Sequence, residues 1–244
     1  MSRRRADVLL VERGFFESRA KARAAIEAGG VTADGRPVLK ASDALDEAAV
    51  VVATAAHPWV GRGALKLAHA LEIWPVPVED RVVLDIGAST GGFTEVCLSK
   101  GARRIYAVDV GRGQLHPSLA ADPRVVRLEA TDARQLTAAL IPQPPSLIVT
   151  DVSFIGLAKA LPAALALAEP GADLIALVKP QFEVGPDRVG KGGLVKAEAA
   201  RLDALDAVKS FLDGAGWGVQ ATADSPIVGG DGNREFLLWA RQAS

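Results

Sequence analysis

The stretch "RVVLDIGASTGGFTE", residues 81–95, runs through Val82, Val83, Leu84 and Ile86 around Asp85, then turns on Gly87, Gly91 and Gly92 before a helical pattern begins. A short apolar run closed by glycines reads as a buried strand, and the turn behind it as a strand-to-helix connection. Further apolar runs follow at 104–110, 124–130, 146–152, 173–180, 217–222 and 235–240, alternating with helical stretches such as 92–99, 154–168 and 195–213. Strands alternating with helices predict an α/β fold with a parallel, doubly wound sheet. Such sheets bind ligands beyond the carboxyl ends of their strands, so the strand ends are where chemistry is expected.

Composition narrows the classes. The chain has 244 residues, 49% of them hydrophobic, and a formal net charge of -1. No run approaches the ~18 apolar residues of a membrane span. At the start, "MSRRRADVLLVERG", the apolar run Val8 to Val11 is cut by Glu12, too short for a signal-peptide core. Cys97 has no second cysteine to pair with and reads as a core thiol, which makes a reducing cytoplasm the expected location. Three scattered histidines form no ligand set, and no metal is expected. Charge is uneven: before residue 41, nine Lys/Arg face five Asp/Glu. This suggests a basic module with an anionic partner, or an ordinary solvated surface.

Three parts are expected: a small α+β domain at 1–56, a linker at 57–63 and the α/β domain at 64–244. In the first, "ADVLLVERG" reads as a helix closed by Gly14, and Ser18 as the N-cap of "RAKARAAIEA". Arg19 and Arg23, four apart, share one face of that second helix. Asp34-Gly35 marks a hairpin, and "AVVVA" at 49–53 a strand. Ser18-Arg19, Gly30-Val31-Thr32, Gly35 and Lys40-Ala41-Ser42 together resemble the small RNA-binding module of a primary-binding ribosomal protein and of pseudouridine synthases. The resemblance implies that Arg19, Lys21, Arg23 and Lys40 contact RNA phosphates, a grip without sequence readout.

In the second domain, Gly87 and Gly91-Gly92 depart from the G-x-G-x-x-G dinucleotide pattern. With Asp85 two residues before the first glycine, the loop resembles the S-adenosylmethionine loop of Rossmann-like methyltransferases. The resemblance implies cofactor contacts at Asp85, Gly87, Ala88, Ser89, Gly91, Gly92 and Phe93. It also implies ribose contacts at Asp109, which ends the second strand, and adenine recognition at Asp132 after the third. Read alone, each of these two carboxylates is equally a loop residue or, for Asp132 before "ARQL", a helix N-cap.

Four more charged residues fall at the same edge: Asp151 in "TDVSF", Lys179 in "LVKPQFE", Glu235 in "NREF", and Lys66 on the amphipathic helix "RGALKLAHALE". Taken one by one they read as surface ion pairs. Lys179 is the exception, because a buried strand followed by Pro180 leaves it little route to water. Jointly they resemble the Lys-Asp-Lys-Glu tetrad of the FtsJ-type ribose 2′-O-methyltransferases. With the first module, the whole chain is similar to the TlyA family of rRNA cytidine 2′-O-methyltransferases. That implies S-adenosylmethionine as cofactor and ribosomal RNA or a ribosomal subunit as partner, with no membrane. It also implies that Lys179 accepts or orients the proton of the ribose hydroxyl, Asp151 holds Lys179, and Lys66 and Glu235 frame the hydroxyl. His57-Pro58-Trp59-Val60 stands where the family usually has Arg-Ala-Trp-Val, so a role for that arginine does not carry over. The rival readings are a membrane-active haemolysin, a non-catalytic RNA-binding protein and a small-molecule methyltransferase, the last disfavoured by the basic first module.

Overall fold

Ser18 caps a helix as its sequence context predicts, its hydroxyl accepting a bond from the Lys21 backbone N–H at 3.3 Å. The computed structural model describes residues 3–243, and the chain divides into two units, residues 1–58 and 59–244. The first runs β1 (Arg3–Arg5), α1 (Ala6–Glu12), α2 (Arg19–Glu27), β2 (Val31–Ala33), β3 (Arg36–Pro37), β4 (Ala44–Asp46) and β5 (Val51–Ala53). Helix α2 buries Ala22, Ala25 and Ile26 and leaves Arg19 and Arg23 in solvent. Asp34 and Gly35 both have positive φ, 49° and 73°, the two-residue hairpin geometry that matches strand twist. Strand β2 pairs with β3 on one side and β5 on the other. A second ribbon, β1 against β4, comes from the triplet Arg3–Arg5, which in sequence reads as charge rather than strand.

Asp7, almost fully buried, ties this unit together. Its carboxylate accepts from Arg5 and, at 2.7 and 3.0 Å, from Arg19. Hydrogen bonds from Arg5, reinforced by Arg19 against the opposing effect of burial, hold Asp7 at about 2. A depressed carboxyl stabilises the folded state above its ordinary value near 3.8 and loses that contribution as pH falls through about 2. Hydrogen exchange of the α1 and α2 amides should therefore accelerate in the full-length protein as pH drops between about 4 and 2, after correction for intrinsic rates. In Asp7→Asn, protection should be lower at neutral pH and flat across that window.

The second unit adds α3 (Ala64–Ile73), β6 (Val82–Ile86), α4 (Gly92–Ser99), β7 (Arg104–Val108), α5 (Pro117–Ala120), β8 (Val125–Leu128) and β9 (Leu147–Thr150). It continues with α6 (Leu157–Ala160), α7 (Pro162–Leu167), β10 (Asp173–Val178), α8 (Pro180–Glu183), α9 (Glu198–Gly214), β11 (Trp217–Asp224) and β12 (Phe236–Gln242). One seven-stranded sheet has the order β11-β12-β10-β9-β6-β7-β8. Its neighbours pair in parallel except where β12 meets β10 and β11. The helix expected over 154–168 is broken into α6 and α7, with Pro162 opening the second because it cannot donate to a preceding turn. Residues 59–63, expected in a linker, belong to the second unit, where Val60 N–H donates to Glu95 at 2.6 Å.

Strand parity explains the layers. Leu84, Ile86, Ile148, Leu174 and Ala176 face the side that also buries Leu157, Leu161, Val208 and Leu212 of the helices. Val83, Leu147, Val149, Ile175 and Leu177 face the other side, with Leu67, Phe93 and Cys97. Burial on both faces is why β6 and β10 read as continuous apolar runs. At the start of β10, fully buried Asp173 accepts from Arg81, Trp239 and Arg241, pinning the edge away from the strand ends where ligands bind. After β6 the chain builds β7 and β8 on one side, then returns to lay β9 on the other. The β6/β9 gap is thus the topological switch point, and both strands deliver functional residues there.

Candidate active site

Gly87 follows β6 with φ +82°, and a Cβ built on it would sit 2.9 Å from the Asp151 carbonyl oxygen. Any side chain would therefore push the two strand ends apart. Ser89 also has positive φ, 49°, and its N–H donates to Asp109 Oδ2 at 2.8 Å, while Gly111 N–H donates to Oδ1 at 2.7 Å. Asp109, ending β7, thus shapes the glycine loop as well as facing the cavity. That cavity, about 930 Å³, is lined among others by Gly87, Ser89, Asp109, Asp132, Asp151 and Ser153. A smaller one of about 210 Å³ is lined by Gly87, Ala88, Ser89, Gly92, Phe93, Asp151, Ser153 and Lys179, among others.

Asp132 takes up both of its sequence readings. It lines the large cavity and also caps a short turn, accepting from Arg134 N–H at 2.9 Å. Hydrogen bonds from the Arg134 guanidinium hold its carboxyl at about 2, so it stays ionised at neutral pH. Asp85 and Gly91 do not line either cavity. Asp85 is fully buried under the loop and accepts a 2.6 Å bond from Thr94 of α4; burial pushes its carboxyl up to about 7 against that bond. Gly91 has φ +98° and opens α4, with Leu119 packed where a Cβ would be. Both residues shape the loop from behind.

The four charged residues meet on the cavity side of the switch point. Lys66 Nζ lies 2.6 Å from Glu235 Oε2 and 4.0 Å from Asp151 Oδ2, and Lys179 Nζ lies 2.6 Å from Asp151 Oδ1. They are not surface pairs: Lys66, Lys179 and Glu235 are 6%, 8% and 3% exposed. Burial raises the Glu235 carboxyl above its ordinary value even though Lys66 and Lys179 pull it down. Lys179 has extended backbone, φ −108° and ψ 102°, as a residue before proline prefers, and Pro180 then opens α8. Asn233 sets the approach to Glu235: its side chain accepts from Val195 N–H and donates to the Gly193 carbonyl and to Asp231.

Sequence reasoning passed over Ser153 and Phe154. Ser153 Oγ accepts from Lys179 Nζ at 2.8 Å. Phe154 is 92% exposed, holds a positive φ of 67° and packs its ring 5.4 Å from that of Phe182 on the cavity wall. An exposed aromatic on strained backbone is a functional signal that only coordinates reveal.

The predicted RNA contacts lie in the first unit and are unevenly free. Arg19 is held by Asp7 and Lys21 by Glu17, whereas Arg23 and Lys40 are exposed and make no ion pair among the described residues.

A mostly parallel sheet of this strand order, with a glycine loop at the switch point and acidic residues following the next two strands, defines a Rossmann-like S-adenosylmethionine-dependent methyltransferase. Comparison with known proteins gives the family. Residues 59–242 match the FtsJ-like methyltransferase model and residues 4–51 the S4 domain. The 16S/23S rRNA (cytidine-2′-O)-methyltransferase TlyA of Mycobacterium tuberculosis is 47% identical over 244 residues, covering 99% of this chain and 91% of that one. Hemolysin A of Brachyspira hyodysenteriae is 35% identical, covering 96% and 98%. A solved structure from Streptococcus thermophilus, described as a presumed hemolysin, superposes with TM-score 0.79 at 38% identity, covering 100% and 90%. The chain belongs to the FtsJ-like methyltransferases and, within them, to the TlyA family.

Proposed function

We propose that this protein transfers the methyl group of S-adenosylmethionine to a ribose 2′-hydroxyl of ribosomal RNA, a cytidine as in the named relatives, and that it does so in the cytoplasm. The observation that carries the reading is the buried Lys66–Glu235 and Asp151–Lys179 set beside the glycine loop. The residues present fit the cofactor. Gly87 lets the loop run close against the Asp151 backbone, where a Cβ would collide, and Asp109 and Asp132 present carboxylates to a cavity of about 930 Å³. Asp109 is placed to take ribose hydroxyls, Asp132 the adenine amino group, and the backbone N–H groups of the loop the carboxylate. When bound, S-adenosylmethionine supplies a methyl group on a sulfonium, ready for transfer.

The chain's own residues do the rest. A ribose hydroxyl is a very weak acid, so it must be aimed, and its proton needs an acceptor as the new O–C bond forms. Lys179 Nζ, once it has given up a proton of its own to solvent, is that acceptor, held in position by Asp151. Lys66 and Glu235 fix the opposite side of the hydroxyl and balance the charge. Phe154 offers its exposed ring to a base turned out of its stack. In the first unit, Arg19, Lys21, Arg23 and Lys40 grip RNA phosphates without reading sequence.

The haemolysin label of two relatives describes those proteins. Among the described residues, no helix is long and apolar enough to cross a membrane. Tritiated S-adenosylmethionine incubated with ribosomal subunits, free rRNA and dye-loaded liposomes tests the reading. Label in cytidine ribose is the expected result, and dye release without label overturns it.

A further inference from the structure

We propose that Ser153 is a positioning residue for methyl transfer, its hydroxyl fixing the direction in which Lys179 Nζ points at the acceptor hydroxyl; this rests on the role given to Lys179 above. Three observations converge on it. The first concerns direction. An ammonium has three N–H donors, and the directed hydrogen bond that Lys179 makes is the one to Ser153 Oγ, at 2.8 Å. Asp151 Oδ1 is nearer, at 2.6 Å, but this is an ion-pair contact without hydrogen-bond geometry. Coulomb attraction to Asp151 holds the nitrogen in place, but attraction without a directed bond does not orient it. Ser153 supplies the orientation.

The second observation is location. Lys179 is buried, whereas Ser153 is exposed and lines both cavities, next to Gly87 and Asp151. Its own hydroxyl hydrogen has no acceptor among the described residues. One side of the oxygen therefore serves Lys179, and the O–H is left to point into the space where the acceptor hydroxyl would enter.

The third is rigidity. The segment after Ser153 is pinned: Phe154 sits at φ 67°, and Glu183 Oε1 accepts from Leu157 N–H at 2.9 Å. A Cβ on Gly156 would come within 2.9 Å of Glu183 Oε2, so the α8 carboxylate presses directly on this loop. A serine two residues past Asp151 on a clamped loop has a fixed relation to that carboxylate, which is what a positioning role needs.

The other charged groups facing Lys179 Nζ are Asp151 from the end of β9, Glu235 before β12 and Lys66 from α3. None of them changes in a Ser153 variant. Steady-state transfer from S-adenosylmethionine to rRNA, measured against pH with the full-length protein, tests the proposal. Ser153→Ala should lower kcat by about tenfold to a hundredfold, the range expected for a hydrogen bond to a charged group. KM for S-adenosylmethionine should stay within about twofold, since the serine is not asked to bind the cofactor. The acid limb of the pH–rate profile should move to lower pH, because an oxygen accepting from the ammonium favours the protonated amine. Ser153→Thr, which keeps the hydroxyl, should restore both rate and limb. An unaltered kcat and limb in Ser153→Ala overturns the proposal, as does a slower enzyme whose limb is unmoved and which threonine does not rescue. Lys179→Ala separates the two layers: if it keeps full transfer, the underlying role fails, whereas an inactive Lys179→Ala beside an unaffected Ser153→Ala sinks the serine proposal alone.

Discussion

Lys179→Ala should lose methyl transfer by about a thousandfold, within the range general acid–base groups contribute, while still folding and binding S-adenosylmethionine. The loss is large because the carboxylate that Lys179→Ala uncovers, Asp151, is a much weaker base than an amine and stands back from the place that Nζ held. Lys66 Nζ is engaged by Glu235 at 2.6 Å, and the Ser153 hydroxyl is far too weak a base by itself. Folding should survive because Asp151 keeps Lys66 at 4.0 Å and its side chain is partly open to water, so the abandoned carboxylate is not stranded. Lys179→Arg sharpens the test. Guanidinium keeps the ion pair with Asp151 but does not release a proton near neutral pH. If Nζ takes the proton, arginine should remain near the alanine level. Recovery above about a tenth of native kcat would show instead that the lysine acts as a charge that steers the hydroxyl. The measurement is single-turnover label transfer to rRNA, alongside cofactor binding by calorimetry.

The route to Lys179 was open in the sequence because its signals are local. An apolar run, a lysine and a proline within a few residues state an extended strand ending in a cation, and the structure has that form. The glycine loop was equally legible, since positive φ at Gly87 and Gly91 is a demand only glycine meets cheaply. Lys66 was half legible. Its helix showed an apolar stripe with the lysine near it, but its burial depends on Glu235, 169 residues away, and no local pattern announces that partner. Asp85 went the other way: motif resemblance set it at the cofactor, whereas the fold buries it behind the loop against Thr94. Ser153 and Phe154 were invisible for a third reason. Their importance lies in a donor direction and a strained φ, properties of backbone geometry rather than of residue type. The β1–β4 ribbon fails similarly, because three arginines carry no strand signal until a partner strand pairs with them.

Lys66→Met should cost roughly 3–5 kcal/mol of stability, the penalty for leaving one member of a buried ion pair alone, or on the order of 10 °C in Tm for a unit of this size. The methionine replaces the aliphatic stem, so the loss reports the charge more than the packing. Glu235 is then 3% exposed with its nearest cation gone. The sign of the pH dependence follows from that carboxyl. Burial already raises it above its ordinary value of 4.5 with Lys66 present, and removing the lysine raises it further. A group whose folded-state value is raised favours folding below its unfolded value and loses that contribution as pH rises through the folded one. The deficit of Lys66→Met should therefore be smaller at pH 5 than at pH 8, because a raised carboxyl takes up a proton more readily as pH falls and then needs no partner. Urea unfolding at the two pH values measures it directly. Adding Glu235→Gln to Lys66→Met should recover most of the stability at pH 8, since an uncharged amide tolerates the same pocket with a much smaller desolvation penalty. It should recover none of the methyl transfer. A double variant that is stable yet inactive would separate the pair's service to the fold from its service to the reaction. A deficit equal at both pH values would instead mean that Lys66 matters through its stem, and that Glu235 finds another partner when the ammonium is gone.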